Sequence, residues 1–137
     1  MSNDPELFRV SVKAVIRHDD GVVILRKFDG KWDLPGGRLE PDEDISNSLI
    51  REIQEEMGVL ATVGQLIYTG VRRREPPKQN VVVVAHLCTI DASLEDIVLS
   101  DEHDMVRVIQ ADEMSELVIA DSYREALEHA FAVMAEH

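Results

Sequence analysis

The chain has 137 residues, room for one domain with a core of its own, and 45% of them are apolar, which excludes a disordered segment. Its formal net charge is −13, from 27 acidic against 14 basic residues, which argues against duplex nucleic acid as a partner because that binding depends on basic surface. The polar start MSNDPELFRV does not read as a signal peptide, no apolar run reaches membrane-spanning length, and the lone Cys88 rules out an internal disulfide framework, so the expectation is a single cytoplasmic domain over residues 1–137.

Taken in order, residues 7–16 alternate, with Phe8, Val10, Val12, Ala14 and Ile16 on one face of a predicted strand. His18-Asp19-Asp20-Gly21 is a tight turn, and residues 22–28 are the return strand of a hairpin. A second turn at Asp29-Gly30 delivers Trp32, which can serve as core packing or as a face on which a nucleotide base stacks. Leu34-Pro35-Gly36-Gly37 cannot be helical, since proline fixes its own φ and glycine permits strained backbone; such a turn can aim carbonyl oxygens at a ligand. The acidic run from Glu40 to Asp44 favours a helix start.

The helix is predicted over residues 44–57. Ile45, Leu49, Ile53 and Met57 recur every four residues as one apolar stripe, and Gly58 supplies a left-handed stop. At roughly 100° per residue, Glu52, Glu55 and Glu56 share about 100° of arc beside that stripe. Arg51 stands one turn before Glu55, where the two can pair. Three carboxylates on one face repel each other. A hard divalent cation such as Mg²⁺, which takes oxygen ligands, resolves that repulsion.

Residues 59–74 read as one long or bent strand, with Gly64 and Gly70 as bulge or bend points. It ends in Arg72-Arg73-Arg74, the one basic cluster of an acidic chain. That cluster is either a charged strand edge that discourages aggregation or a clamp on substrate phosphate. Alternation puts Arg72 and Arg74 on one face and Arg73 on the other, so only one set would point inward. Val81 to Val84 is an unbroken β-branched run, which suits a strand covered on both faces and would line a dimer contact if that strand lay at an edge. His86 reads as a satisfied histidine in that strand, and Cys88 as a buried thiol. Residues 91–104 are acidic and irregular, with Ser100-Asp101-Glu102-His103-Asp104 a candidate loop over the site. A short strand over 105–109 and a helical turn over 111–117 follow. The last helix spans residues 121–136, with Ser122-x-x-Glu125 as a capping box and Tyr123, Ala126, Leu127, Ala130, Phe131 and Met134 as its packing stripe. Two amphipathic helices and several apolar strands predict a mixed sheet sandwiched between helices.

Gly37, Glu43, Arg51, Glu52, Ile53, Glu55, Glu56, Gly58 and Val59 stand in the order G-x5-E-x7-R-E-U-x-E-E-x-G-U, with U aliphatic. This resembles the box of the Nudix hydrolases, and no position departs from it. The resemblance implies an α/β protein, the Nudix-type α/β/α sandwich with a mixed β-sheet. It further implies hydrolysis of a small-molecule nucleotide, a nucleoside diphosphate linked to another moiety. Glu52, Glu55 and Glu56 look like the metal-binding carboxylates, and the carbonyl of Gly36 or Gly37 is similar to the backbone metal ligand. Glu43 and Arg51 look like the supports that orient the set. The implied metal is Mg²⁺, with Mn²⁺ as a substitute. Glu52 and Glu56 both stand open as the group that takes the proton from water. Glu102 resembles the further carboxylate that the family draws from a downstream loop, with Asp101 and Asp104 as rivals.

Four substrate classes fit: nucleoside triphosphates, ADP-ribose, dinucleoside polyphosphates and sugar nucleotides. A Nudix-fold domain that senses a nucleotide without cutting it would be expected to carry a degraded box. An isopentenyl diphosphate isomerase of the same fold would need a catalytic cysteine, and Cys88 in an apolar strand is poorly placed for that.

Overall fold

The computed structural model describes residues 4–136; of the polar start read in the sequence, residues 1–3 lie outside the described residues. The strands are β1 (Arg9–His18), β2 (Gly21–Lys27), β3 (Trp32–Asp33), β4 (Gly36–Arg38), β5 (Ala61–Arg72), β6 (Val81–Ile90) and β7 (His103–Ile109), and the helices are α1 (Ile45–Met57) and α2 (Asp121–Ala135). Short 3-10 turns occupy Leu94–Asp96 and Ala111–Glu116. Among the described residues, no helix is long and apolar enough to cross a membrane.

All seven strands join one mixed sheet, ordered β3-β2-β1-β6-β5 along its main path, with β4 on β1 and β7 on β2. Among the strand pairings of the described residues only β1–β6 is parallel, and an isolated parallel bridge joins Trp32 to Ile119. The two faces of β1 separate the core. Val12, Ala14 and Ile16 pack beneath α1 with Leu49, Ile53 and Met57. Val15, on the opposite face, packs with Val83, Ala85 and the α2 residues Ala126, Leu127, Ala130 and Met134. Each of the larger aliphatic and methionine side chains among them contributes about 1.5–3 kcal/mol by leaving water.

β1 and β2 are paired only near their turn, through Ile16↔Val23 to His18↔Gly21. Beyond that they part. β2 takes up β3 at Leu25↔Asp33, and β1 takes up β4 at Lys13↔Gly36. The Leu34-Pro35 turn is wedged into the opening, its Pro35 carbonyl accepting from the Ala14 N–H at 2.8 Å. Two otherwise ordinary strands therefore frame the loop that meets α1.

Four expectations are corrected. Ser122 does not cap α2: the N-cap is Ala120, with no side-chain cap bond, because Ser122 is buried with its hydroxyl unpartnered among the described residues and Glu125 accepts from the Tyr68 hydroxyl instead. Gly70 is no bend, since it pairs in register with Val83; the irregularities of β5 fall between Val63 and Tyr68. Gly70 is small because the Tyr68 ring lies against it. The valine run of β6 is not at an edge but lies between β1 and β5, so the dimer contact it would have lined there has no such edge. Finally, β5 ends at Arg72, so alternation does not carry on to Arg74.

Candidate active site

α1 sets out the site. The side chain of Asp44 accepts from the Asn47 N–H at 2.8 Å, satisfying a free donor at the helix start. Gly58, at φ 68°, ends the helix in the left-handed conformation and returns its N–H to the Gln54 carbonyl. With both ends fixed, the apolar stripe dictates the rotation, and the polar residues flanking it are carried to the edge of the core.

Glu56 goes furthest in. It is only 4% exposed, and its Oε2 accepts the Gly36 N–H at 2.8 Å. Burial pushes its carboxyl up to about 7, partly opposed by Lys13 and the Gly36 hydrogen bond. Gly36 holds φ 136°, and a Cβ there would strike the Val12 carbonyl. At Gly37 a Cβ would lie 2.7 Å from a Glu52 carboxylate oxygen, so the end of that side chain would have to move. Gly36 is thus demanded by the backbone, and Gly37 lets the Glu52 carboxylate come close.

Arg51 gathers the other acids. Its Nε and Nη2 donate to the two Glu43 oxygens at 2.7 and 2.8 Å, a two-pronged bond that holds the Glu43 carboxyl below its usual range. Its Nη1 lies 3.1 Å from Glu52 and 3.2 Å from Glu55. The predicted Arg51–Glu55 pair is therefore one part of a wider fan. Burial raises the Glu52 carboxyl, and Arg51 opposes the rise. Glu55 remains exposed.

The loop before β7 is tied across the end of α1: the Val98 N–H donates to the Met57 carbonyl at 3.0 Å and the Ser100 N–H to the Glu56 carbonyl at 3.1 Å. This brings Glu102 over Glu56. Ligand atoms of Glu56, Glu102 and His103 all lie within 4.8 Å of one another. Of the rivals, Asp104 is engaged by Arg26 at 2.9 Å; Asp101 and Glu102 are both exposed, but Glu102 is the one that meets Glu56. Oxygen donors of this kind, with backbone so close that glycine is obligatory, fit a hard divalent cation. Glu56, Glu102 and His103 are the donors that meet within that 4.8 Å span, while Glu52 lies against Gly37.

Beside the carboxylates, Lys13 and Asp33 form a buried pair on the α2 side of β1. Lys13 Nζ donates to Asp33 Oδ1 at 3.3 Å and to the Leu34 carbonyl at 3.0 Å. Burial would lower the Lys13 pKa, but Asp33 and Glu56 more than reverse that and keep it charged. The pair forms part of the wall of a cleft of about 360 Å³, with Lys27, Lys31, Trp32, Arg72 and Tyr123. Lys13 and Arg72 lie 5.0 and 5.8 Å from the centre of the Tyr123 ring. A neighbouring cleft of about 480 Å³ shares Arg72, Ile119 and Ala120 with it and adds Tyr68, Arg73 and Glu125. So Arg72 and Arg73 both reach cleft walls, whereas Arg74 lies beyond the strand with its N–H donated to Asn80. The expected division of these arginines into one inward and one outward set does not hold. Trp32 packs against the α2 core, as one of its two readings expected, and it also forms part of the cleft wall.

Sequence reasoning missed Lys13, Lys27, Lys31, Asp33 and His103, and it treated Tyr123 as packing alone. A signal existed for Lys13. It interrupts an otherwise apolar strand, and a buried charge must have a partner. His86 and Cys88 are as expected, the first held at 2.9 Å by the Gly64 carbonyl and the second buried.

The NUDIX domain family model matches residues 7–130, and the chain belongs to the Nudix family of hydrolases. A MutT-like protein of Streptomyces ambofaciens is 34% identical over 117 residues, covering 84% of this chain and 72% of that protein. The CTP pyrophosphohydrolase of Escherichia coli is 38% identical over 72 residues, covering 48% of this chain and 52% of that protein. The fold also matches the E. coli ORF135 protein, at TM-score 0.79 and 23% identity over 96% of this chain and 94% of that one. A NUDIX hydrolase from Nitrosomonas europaea matches at TM-score 0.81 and 20% identity, covering 93% and 91%.

Proposed function

We propose that the chain is a cytoplasmic, Mg²⁺-dependent pyrophosphohydrolase. It would cut the phosphoanhydride bond of a nucleoside diphosphate derivative, with a nucleoside triphosphate as the favoured substrate. The observation that carries this reading is the clustering of Glu102 and His103 with Glu56, where Glu56 and Glu52 approach the Gly36-Gly37 backbone, together with a cation-bearing cleft. In a chain of net charge −13, a cleft bearing Lys13, Lys27, Lys31 and Arg72 is the place where an anionic nucleotide is attracted rather than repelled. The partial likeness to a CTP pyrophosphohydrolase supports a triphosphate.

Trp32 and Tyr123 line the cleft where the base would sit, and the cleft cations would bind phosphate oxygens. Glu52, Glu56 and Glu102 would hold the metal, with Glu55 and a Gly37 carbonyl as the further ligands implied by the box. When bound, Mg²⁺ supplies neutralisation of the phosphoanhydride oxygens and makes an attacking water easier to deprotonate. Water then forms a new P–O bond in line with the leaving phosphate as the anhydride P–O bond breaks, and a glutamate of this set takes the water's proton. Arg51 keeps Glu52 and Glu55 oriented through its bonds to Glu43.

A second reading, an ADP-ribose or dinucleoside polyphosphate pyrophosphatase, is favoured by the neighbouring cleft, which gives room beyond Arg72 for a second moiety. Product release from a panel of triphosphates, ADP-ribose and dinucleoside polyphosphates, with Mg²⁺ or with Mn²⁺ in its place, separates these readings. A nucleotide-sensing domain would bind members of the panel and release nothing above an EDTA control.

A further inference from the structure

Glu102 sits on a loop, yet it is brought against a helix that belongs to a distant part of the chain. One side of it is tethered by the Ser100 N–H on the Glu56 carbonyl. The other side is His103, whose side chain is 1% exposed and whose Nε2 lies 2.9 Å from Asp33 Oδ2. Asp33 is itself fixed three more ways: it is paired with Leu25 in the sheet, its Oδ1 accepts the Lys13 ammonium, and the same oxygen accepts the Leu34 N–H at 2.9 Å. Leu34 begins the turn whose Gly36 N–H holds Glu56. A buried charge cluster is costly to form, and replacing it with apolar residues is often no worse for stability. Its retention here has a geometric use.

We propose that His103 is a positioning residue: clasped by Asp33, it locks the neighbouring Glu102 against Glu56 and joins the metal-holding carboxylates to the wall of the nucleotide cleft. The clasp links both ends of the site, because Lys13 and Asp33 form part of the cleft wall while His103 clusters with Glu56 and Glu102. His103 also offers a ligand atom within the same cluster, its buried Nδ1 having no hydrogen-bond partner among the described residues; where a carboxylate orients a histidine at a metal site, losing that support costs about 10–100-fold in metal affinity or activity. This rests on the hydrolase reading of the same carboxylates.

The test compares His103→Leu with His103→Gln, whose amide nitrogen can replace Nε2 as the donor to Asp33. Mn²⁺ affinity is measured by electron paramagnetic resonance, and kcat and KM on whichever panel nucleotide the wild type turns over fastest. His103→Leu should weaken Mn²⁺ binding and lower kcat by about 10-fold or more, with KM within about threefold. His103→Gln should restore both to within about threefold. Asp33→Asn, a milder change that keeps the shape, should move Mn²⁺ affinity in the same direction and serves if His103→Leu fails to fold. Wild-type Mn²⁺ affinity and kcat in a folded His103→Leu, or in Asp33→Asn where His103→Leu does not fold, would overturn the clasp. Equal impairment in His103→Leu and His103→Gln would also overturn it. A wild type that binds Mn²⁺ yet hydrolyses nothing would overturn the hydrolase reading instead, leaving the Mn²⁺ measurement to judge the clasp.

Discussion

α1 and α2 bury similar apolar stripes against opposite faces of one sheet, but they treat their polar residues differently. On α2 the polar groups gather around nothing: the exposed Glu125 meets the Tyr68 hydroxyl at 2.5 Å, and Ser122 is enclosed with no partner among the described residues. On α1, Glu52 and Glu56 are drawn toward the backbone of a distant turn, and Arg51 fans across Glu43, Glu52 and Glu55. Packing requires none of this. A helix that needed only to cover the sheet would do better with an apolar residue where Glu56 stands, since burying a carboxylate raises its pKa and costs stability. The contrast separates residues that build the fold from residues the fold is built to hold.

The comparison is broken most severely at Glu56. Glu56→Gln keeps the size and removes the charge, so turnover should fall at least about 10²-fold while the circular dichroism spectrum and thermal midpoint stay near wild type. Near-normal turnover would sink the site. Arg51→Lys tests the fan. Lysine keeps the charge but cannot make the two-pronged bond to Glu43, and a fall of about tenfold in kcat or Mn²⁺ affinity is expected, read by steady-state kinetics and metal titration. No such fall would reduce Arg51 to a surface charge.

Smaller effects sharpen the same contrast through the helix ends. Asp44→Ala removes the α1 cap and should cost about 1 kcal/mol in urea unfolding. Ser122→Ala deletes a buried hydroxyl that makes no bond and should cost nothing or stabilise slightly, within about 1 kcal/mol. A loss from Ser122→Ala as large as that from Asp44→Ala would restore the capping box that the sequence suggested.

α1 was legible because its signals are local. An apolar residue every fourth position, an aspartate at the start and a glycine at the stop all act within one or two turns. The box residues Glu43 to Val59 lie on or beside that helix, so their mutual placement follows from helical geometry. Glu102 was legible only as one of three neighbouring acids; nothing in Asp101-Glu102-His103-Asp104 says that Arg26 engages Asp104 and leaves Glu102 over Glu56. The cleft was less legible still. Lys13, Lys31, Arg72 and Tyr123 come from four separate segments. The capping box failed for a related reason: burial against the sheet set the Ser122 environment, and a favourable local pattern had no power over it.

By itself the amino-acid order determined the family, the two helices, most strands and the acidic face of α1, because each is written in spacings that the backbone converts directly into direction. Only the tertiary structure decided which downstream acid meets that face, which cations line the cleft and how the Leu34-Pro35 turn enters between β1 and β2. Those choices depend on where strands part and loops are tied down, and such long-range pairings are settled by packing across the sheet rather than by neighbours in the chain.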